Sequence, residues 1–144
     1  TEKDFALSHP GGSLGRRLLL HVSDIMHQGD AVPITQDTHF VSAALLEMTE
    51  KKLGMTAIIN ANEQLIGIFT DGDLRRMLEN SIDIHQTQIH RVMTQGATTI
   101  GPEKLAVEAL QIMQEKQINA LLVTDNDQLV GALNMHDMLR AGLS

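Results

Sequence analysis

The chain contains no cysteine, which rules out a disulfide framework and a thiol nucleophile within this segment. Tryptophan and tyrosine are absent too, and only three phenylalanines occur, so a core built from these residues is aliphatic, with eight methionines filling its gaps. No apolar run approaches the roughly 18 residues of a membrane helix, and no signal peptide is visible, so the expected location is the cytoplasm. The net charge of −7 argues against a general nucleic-acid surface or an anionic-membrane surface. His21, His27, His39, His85 and His90 show no metal-ligand spacing, and with no cysteine beside them no metal site is expected.

What the chain does have is an internal repeat. Gln64-Leu65-Ile66-Gly67-Ile68-Phe69-Thr70-Asp71-Gly72-Asp73-Leu74-Arg75-Arg76 returns as Gln128-Leu129-Val130-Gly131-Ala132-Leu133-Asn134-Met135-His136-Asp137-Met138-Leu139-Arg140, at an offset of 64 residues. Each copy has an apolar run, a glycine, a second apolar pair, a helix-capping residue (Thr70, Asn134) and an acid three positions later (Asp73, Asp137). Upstream, Val41, Ala44, Leu45 and Met48 match Ala106, Ala109, Leu110 and Met113 at an offset of 65; both sets trace one face of an amphipathic helix. Val22-Ser23-Asp24-Ile25-Met26 pairs with Ile89-His90-Arg91-Val92-Met93 at an offset of 67. The drift by single residues falls in loops, where insertions are tolerated. Two copies at this period mean a tandem domain, not a solenoid.

Within one copy the pattern predicts a helical turn at Val22 to Met26 and an extended stretch through Ala31 to Ile34. A helix of about Phe40 to Lys52 follows, closed near Gly54 by a left-handed cap. Strands at about 55–60 and 64–69 flank the short loop Ala61-Asn62-Glu63, and a last helix runs from Thr70 to about Asn80. The second copy predicts about 98–100, 103–117, 119–124, 128–133 and 135–142. The fold class is α+β, with two pseudo-symmetric β-α-β-β-α repeats forming one pair. Residues 1–20 read as a linker and the end of a preceding domain, 21–82 as repeat 1 and 83–144 as repeat 2. With no starting methionine and a Gly/Pro-punctuated stretch His9-Pro10-Gly11-Gly12-Ser13-Leu14-Gly15, the first residues read as an interdomain linker.

The pattern apolar-apolar-Gly-apolar-apolar-Thr-x-x-Asp, after a helix and a strand, resembles the CBS domain, two copies of which form a CBS pair or Bateman module. The segment from Asp4 through Leu19 with Val22 to Met26, and the run Gly67 to Arg76, are similar to the sugar-isomerase-plus-CBS proteins of the D-arabinose 5-phosphate isomerase family. That family interconverts ribulose 5-phosphate and arabinose 5-phosphate on the route to the lipopolysaccharide sugar 3-deoxy-D-manno-octulosonate in Gram-negative bacteria. The resemblance implies a sugar isomerase (SIS) domain upstream in the same chain. It also implies a regulatory nucleotide such as AMP, CMP or a CMP-sugar bound between the repeats, and a homodimer of CBS pairs within a homotetramer. The helices carrying Leu74, Met77, Leu78, Met138 and Leu139 are the expected contact surface.

Two readings stand for Thr70 with Asp73, and for Asn134 with Asp137. One is plain helix capping, with hydroxyl, amide and carboxylate satisfying free N–H groups. The other is a ribose clamp, in which the carboxylate accepts hydrogen bonds from a cis-diol and nearby N–H groups attract a phosphate. The second copy departs from the family at Asn134, where Thr or Ser is usual, and carries His136 where the first copy has Gly72; the cleft built around Thr70 and Asp73 is therefore expected to dominate. Arg76 is a candidate phosphate ligand, as are Arg75 and Arg140; Met55 and Ile118, standing before the central strands, are candidate base contacts. By resemblance His9 belongs to the isomerase active site, assisting ring opening or proton transfer, and acts only with the missing domain. The fragment alone has no convergent acid, base and nucleophile and is not expected to catalyse. Two functions follow: a ligand-sensing module, or a structural oligomerisation module with vestigial sites.

Overall fold

The computed structural model describes residues 14–143. Two short helices come first, α1 (Leu14–Leu18) and α2 (Val22–Ile25), then a 3-10 turn at Gly29–Ala31. The first repeat runs β1 (Ile34–Gln36), α3 (Val41–Lys51), β2 (Met55–Ile59), β3 (Leu65–Thr70) and α4 (Asp71–Glu79). A 3-10 turn at Ile89–Arg91 and the two-residue β4 (Thr94–Gln95) lead to the second: β5 (Thr99–Ile100), α5 (Ala106–Lys116), β6 (Ala120–Asp125), β7 (Gln128–Asn134) and α6 (Met135–Arg140). The β-α-β-β-α order read from the repeat holds in both halves.

In each half the first strand pairs parallel with the second through the helical crossover, and the second pairs antiparallel with the third through a tight turn. The Asn60 side chain builds the first of these turns, its Oδ1 accepting from the N–H groups of Asn62 and Gln64 at 2.9 and 3.0 Å. Strand β2 is buried along its whole length. Helices α3 and α5 bury the predicted stripes, Val41, Ala44 and Met48 in one and Ala106, Ala109, Leu110 and Met113 in the other. The left-handed cap of α3 falls on Lys52 (φ 64°), two residues ahead of the expected Gly54, because the Lys52 N–H already reaches the Met48 carbonyl. Gly54 is left-handed as well (φ 74°), and its carbonyl receives the Asp71 N–H at 3.2 Å, holding the start of β2 against the start of α4.

The two repeats exchange their leading segments. Residues 20–27, ahead of the first repeat, lie on the second: Ala106 N–H donates to the Leu20 carbonyl at 2.7 Å, Val22 N–H to Lys104 at 2.8 Å, and His27 forms a two-way bridge with Ala132 of β7 at 2.9 and 3.0 Å. Residues 84–95, ahead of the second, lie on the first: Val41 N–H donates to Thr87 at 2.9 Å, Ile89 N–H to His39 at 2.7 Å, and β4 pairs with β3. The exchange explains why α3 and α5 start after Phe40 and Leu105, which cannot cap: backbone carbonyls from the exchanged segments satisfy their first N–H groups. It also explains the repeated glycine. A Cβ on Gly67 would sit 2.7 Å from Met93 Sδ and 2.8 Å from the Thr94 carbonyl, and one on Gly131 would sit 2.5 Å from Met26 Sδ and 3.0 Å from the His27 carbonyl. Each exchanged segment crosses its strand where no side chain stands.

The core follows the same plan. One cluster joins α5, β6, β7 and α6 with Val22 of the exchanged segment; its counterpart joins α3, β2, β3 and α4 with Ile89. Between them the sheets meet through Ala57, Ile68, Leu122 and Ala132, with Met55 and Leu53. Equivalent positions carry a small residue in one repeat and a larger one in the other, Ala57 against Leu122 and Ile68 against Ala132, which lets the two faces interdigitate. Two residues expected on an oligomer surface belong to this interior: Met77 is 3% exposed and Met138 fully buried, because each faces its own repeat's sheet, and Leu74 is half-buried. Leu78 and Leu139, on the other side of the same helices, are 57% and 54% exposed.

Candidate ligand clefts at the two helix starts

Strand β3 passes into α4 without a loop, and Thr70 is the junction. Its extended backbone ends the strand while its Oγ1 accepts from the Asp73 N–H at 3.3 Å, and the Asp73 Oδ2 accepts from the Thr70 N–H at 3.0 Å and its hydroxyl at 3.2 Å. Asp73 is 6% exposed. Its other oxygen, Oδ1, accepts from the Arg76 guanidinium one turn on and from the Thr94 hydroxyl at 2.9 Å. Thr94 arrives on β4, so the exchanged segment completes the site.

Strand β7 and α6 repeat this arrangement. Asp137 N–H donates to Asn134 Oδ1 at 2.9 Å, and Asn134 N–H to Asp137 Oδ2 at 2.8 Å, so Asn134 caps as Thr70 does. Its Nδ2 is free to reach across the repeats to the Leu53 carbonyl at 3.3 Å. Asp137 is 5% exposed, and its Oδ1 accepts from Arg140 at 2.8 Å and from His27 Nε2 at 2.8 Å. Burying a carboxylate is costly unless it is paired and hydrogen-bonded, and here each acid is held by its cap, an arginine and one side chain of the exchanged segment. The arginines are the loose members: the Arg76 and Arg140 side chains are 67% and 61% exposed against 5% and 4% for the acids. A ligand hydroxyl taking over Oδ1 would displace a solvated arginine, not a packed one.

The sequence alone does not single out His27 and Thr94 as site residues, although the 67-residue offset that pairs Met26 with Met93 pairs them next. Of the predicted residues, the structure brings Thr70, Asp73 and Arg76 together at one helix start and Asn134 and Asp137 at the other. His136 is exposed on α6. Gly72 faces the gap between Thr70 and Arg76, whose side chains lie 3.6 Å from where its Cβ would be. Met55 is fully buried in the cluster between the sheets, and Ile118 is half-buried on the second-repeat core. His9 lies outside the described residues. Among the described residues no group of three or more His, Asp or Glu could hold a metal ion, and no helix is long and apolar enough to cross a membrane. A depression of about 280 Å³ along β1 and α3, lined by Ile34, Gln36, His39, Leu46 and Glu47 among others, takes in neither acid.

The sequence model of the CBS domain matches residues 22–80 and 89–144. The chain belongs to the CBS-domain family. A protein from Pyrococcus horikoshii, solved as an uncharacterized conserved protein, superimposes with a TM-score of 0.78 at 23% identity, covering 87% of this chain and 93% of that one. CBSX2, solved in complex with AMP, superimposes with a TM-score of 0.71 at 21% identity, covering 85% of this chain and 96% of its own. Both likenesses show the fold. Over 143 residues the chain is 54% identical to arabinose 5-phosphate isomerase KdsD of Escherichia coli (strain K12), which covers 99% of this CBS pair and 44% of the relative. The tandem-CBS reading and the likeness to this isomerase family therefore hold, and the pair spans less than half the length of that relative.

Proposed function

We propose that this CBS pair is the ligand-sensing part of a cytoplasmic D-arabinose 5-phosphate isomerase, with repeats at 21–82 and 83–144, and that it binds a ribonucleotide such as AMP, CMP or a CMP-sugar in the clefts at Asp73 and Asp137. The observation that carries the reading is the pair of buried carboxylates, each with one oxygen committed to its helix cap and the other facing a solvent-exposed arginine. A ribose cis-diol presents two donors to such an oxygen, and the displaced Arg76 or Arg140 then meets the phosphate. The likeness to KdsD over 99% of the chain supports an isomerase domain upstream, acting on ribulose 5-phosphate with His9 near its active site. The AMP complex of CBSX2 supports a nucleotide as the class of ligand.

The second reading, a structural module that assembles a homodimer of pairs within a homotetramer, is favoured by two observations: both carboxylates are hydrogen-bonded within the chain, and Leu78 and Leu139 stand exposed on α4 and α6. Calorimetric titration separates the two. The sensing reading requires AMP or CMP to bind and the 2′-deoxy forms to bind roughly ten- to a hundredfold more weakly, the loss of about 1.5–3 kcal/mol for hydrogen bonds to a charged acceptor. Equal affinity for ribo and deoxy forms, or no binding at all, rejects it.

A further inference from the structure

The Asp73 and Asp137 sites match in chemistry but differ in where their third partner comes from. Thr94 lies in the connection between the repeats, which is tied to the first repeat just ahead of it by the Val41–Thr87 and Ile89–His39 hydrogen bonds, and the chain then continues directly into β5. A disturbance of Asp73 is thus passed to a segment held at both ends inside the pair. His27 lies at the end of the segment that enters the pair from the N-terminal side. That segment rests on the second repeat along its length: Arg17 donates to the Gly142 carbonyl at 3.1 Å, Leu20 and Val22 bond to Ala106 and Lys104, and Ser23 N–H donates to Pro102 at 3.0 Å. Met26 lies over Gly131 and His27 brackets Ala132 before the chain crosses to β1 of the first repeat.

From this connectivity, and resting on the nucleotide reading above, we infer that the Asp137 cleft is the regulatory one: its occupant is sensed by His27 and passed through α2 and α1 to the preceding chain, whereas the Asp73 cleft acts within the pair. The His27 imidazole donates to the same Oδ1 that a ribose hydroxyl would use, so an occupant of that oxygen competes with His27 for it. His27 cannot move without its strand bridge to Ala132, because its side chain and backbone both grip the β7–α6 junction. His27 is a positioning residue in this scheme, and the equivalent Thr94 hydroxyl plays the local part at Asp73.

Hydrogen exchange on the 144-residue chain tests this, read at residues 15–27 and at residues 88–95. Without ligand, His27→Ala is expected to speed exchange in 15–27 by about fivefold, the factor given by losing one ordinary hydrogen bond. His27→Gln, which keeps an N–H donor, restores most of the protection, and Thr94→Ala affects 88–95 only. With AMP as probe, 15–27 changes in the wild-type chain and in Asp73→Asn, and not in Asp137→Asn. The inference is overturned if, without ligand, Thr94→Ala or Asp73→Asn speeds exchange in 15–27 as much as His27→Ala does, if AMP still changes 15–27 in Asp137→Asn, or if His27→Ala leaves 15–27 unaltered. Failure of AMP to bind removes the nucleotide reading, while the ligand-free variants still decide whether His27 links Asp137 to the entering chain.

Discussion

Replacing Gly131 by alanine tests whether the exchanged segments hold the fold together. The added Cβ would lie 2.5 Å from Met26 Sδ and 3.0 Å from the His27 carbonyl. The methionine tip can swing aside, but the carbonyl cannot, because it accepts the Ala132 N–H at 3.0 Å while the His27 N–H donates to the Ala132 carbonyl at 2.9 Å. Overpacking of this kind costs about 1–3 kcal/mol. Alanine in a strand recovers roughly 0.5–1 kcal/mol through the lower entropy of its unfolded chain. The expected net loss is therefore about 0.5–2 kcal/mol, which for a mid-range urea slope of about 2 kcal/mol/M lowers the unfolding midpoint by roughly 0.25–1 M. Gly67→Ala is expected to match it, since Met93 and Thr94 crowd that site in the same way. Gly72→Ala is the control: its Cβ would meet nothing closer than 3.6 Å, and alanine suits the helix better than glycine, so stability holds or rises. Wild-type midpoints for both Gly67→Ala and Gly131→Ala would refute the reasoning.

Three further outcomes are expected. Lys52→Gly relieves a left-handed residue (φ 64°) and raises stability by about 0.5–1 kcal/mol in the same urea assay. Thr35 and Thr56 share a buried hydroxyl hydrogen bond of 2.9 Å, so Thr35→Val alone costs about 1–3 kcal/mol, while the double change to valine costs much less; additive losses in the double-mutant cycle would contradict this. Asp73→Ala weakens AMP binding by about 1.5–3 kcal/mol and Arg76→Ala by roughly 0–1 kcal/mol, as read by calorimetry, because the acid is buried and the arginine exposed.

Much of this architecture is legible in the sequence because it is periodic or local. The stripes of α3 and α5 are three- and four-residue spacings, and Thr70 with Asp73 forms a cap read within one turn. The exchanged strands are not legible in that way. Thr94–Gln95 is two residues long, too short for alternation to show, and its partner Gly67 is set by pairing across the chain. The repeated glycines were visible, but not that Met26 and Met93 from the opposite repeats lie over them. Met77 and Met138 satisfy a helical spacing that fits an outer contact as well as an inner one, and only the packing of α4 and α6 on their sheets turns them inward. His27 and Thr94 needed the site to be assembled from two distant segments. Their only local signal was the alignment of the two leaders.

The most direct test of the sensing account is a crystal structure of this chain grown with AMP. The account predicts the ribose diol within hydrogen-bond distance of Asp73 or Asp137 Oδ1, with the matching Arg76 or Arg140 swung off its acid and onto the phosphate. An AMP seated elsewhere, with both arginines still on their carboxylates, would contradict it.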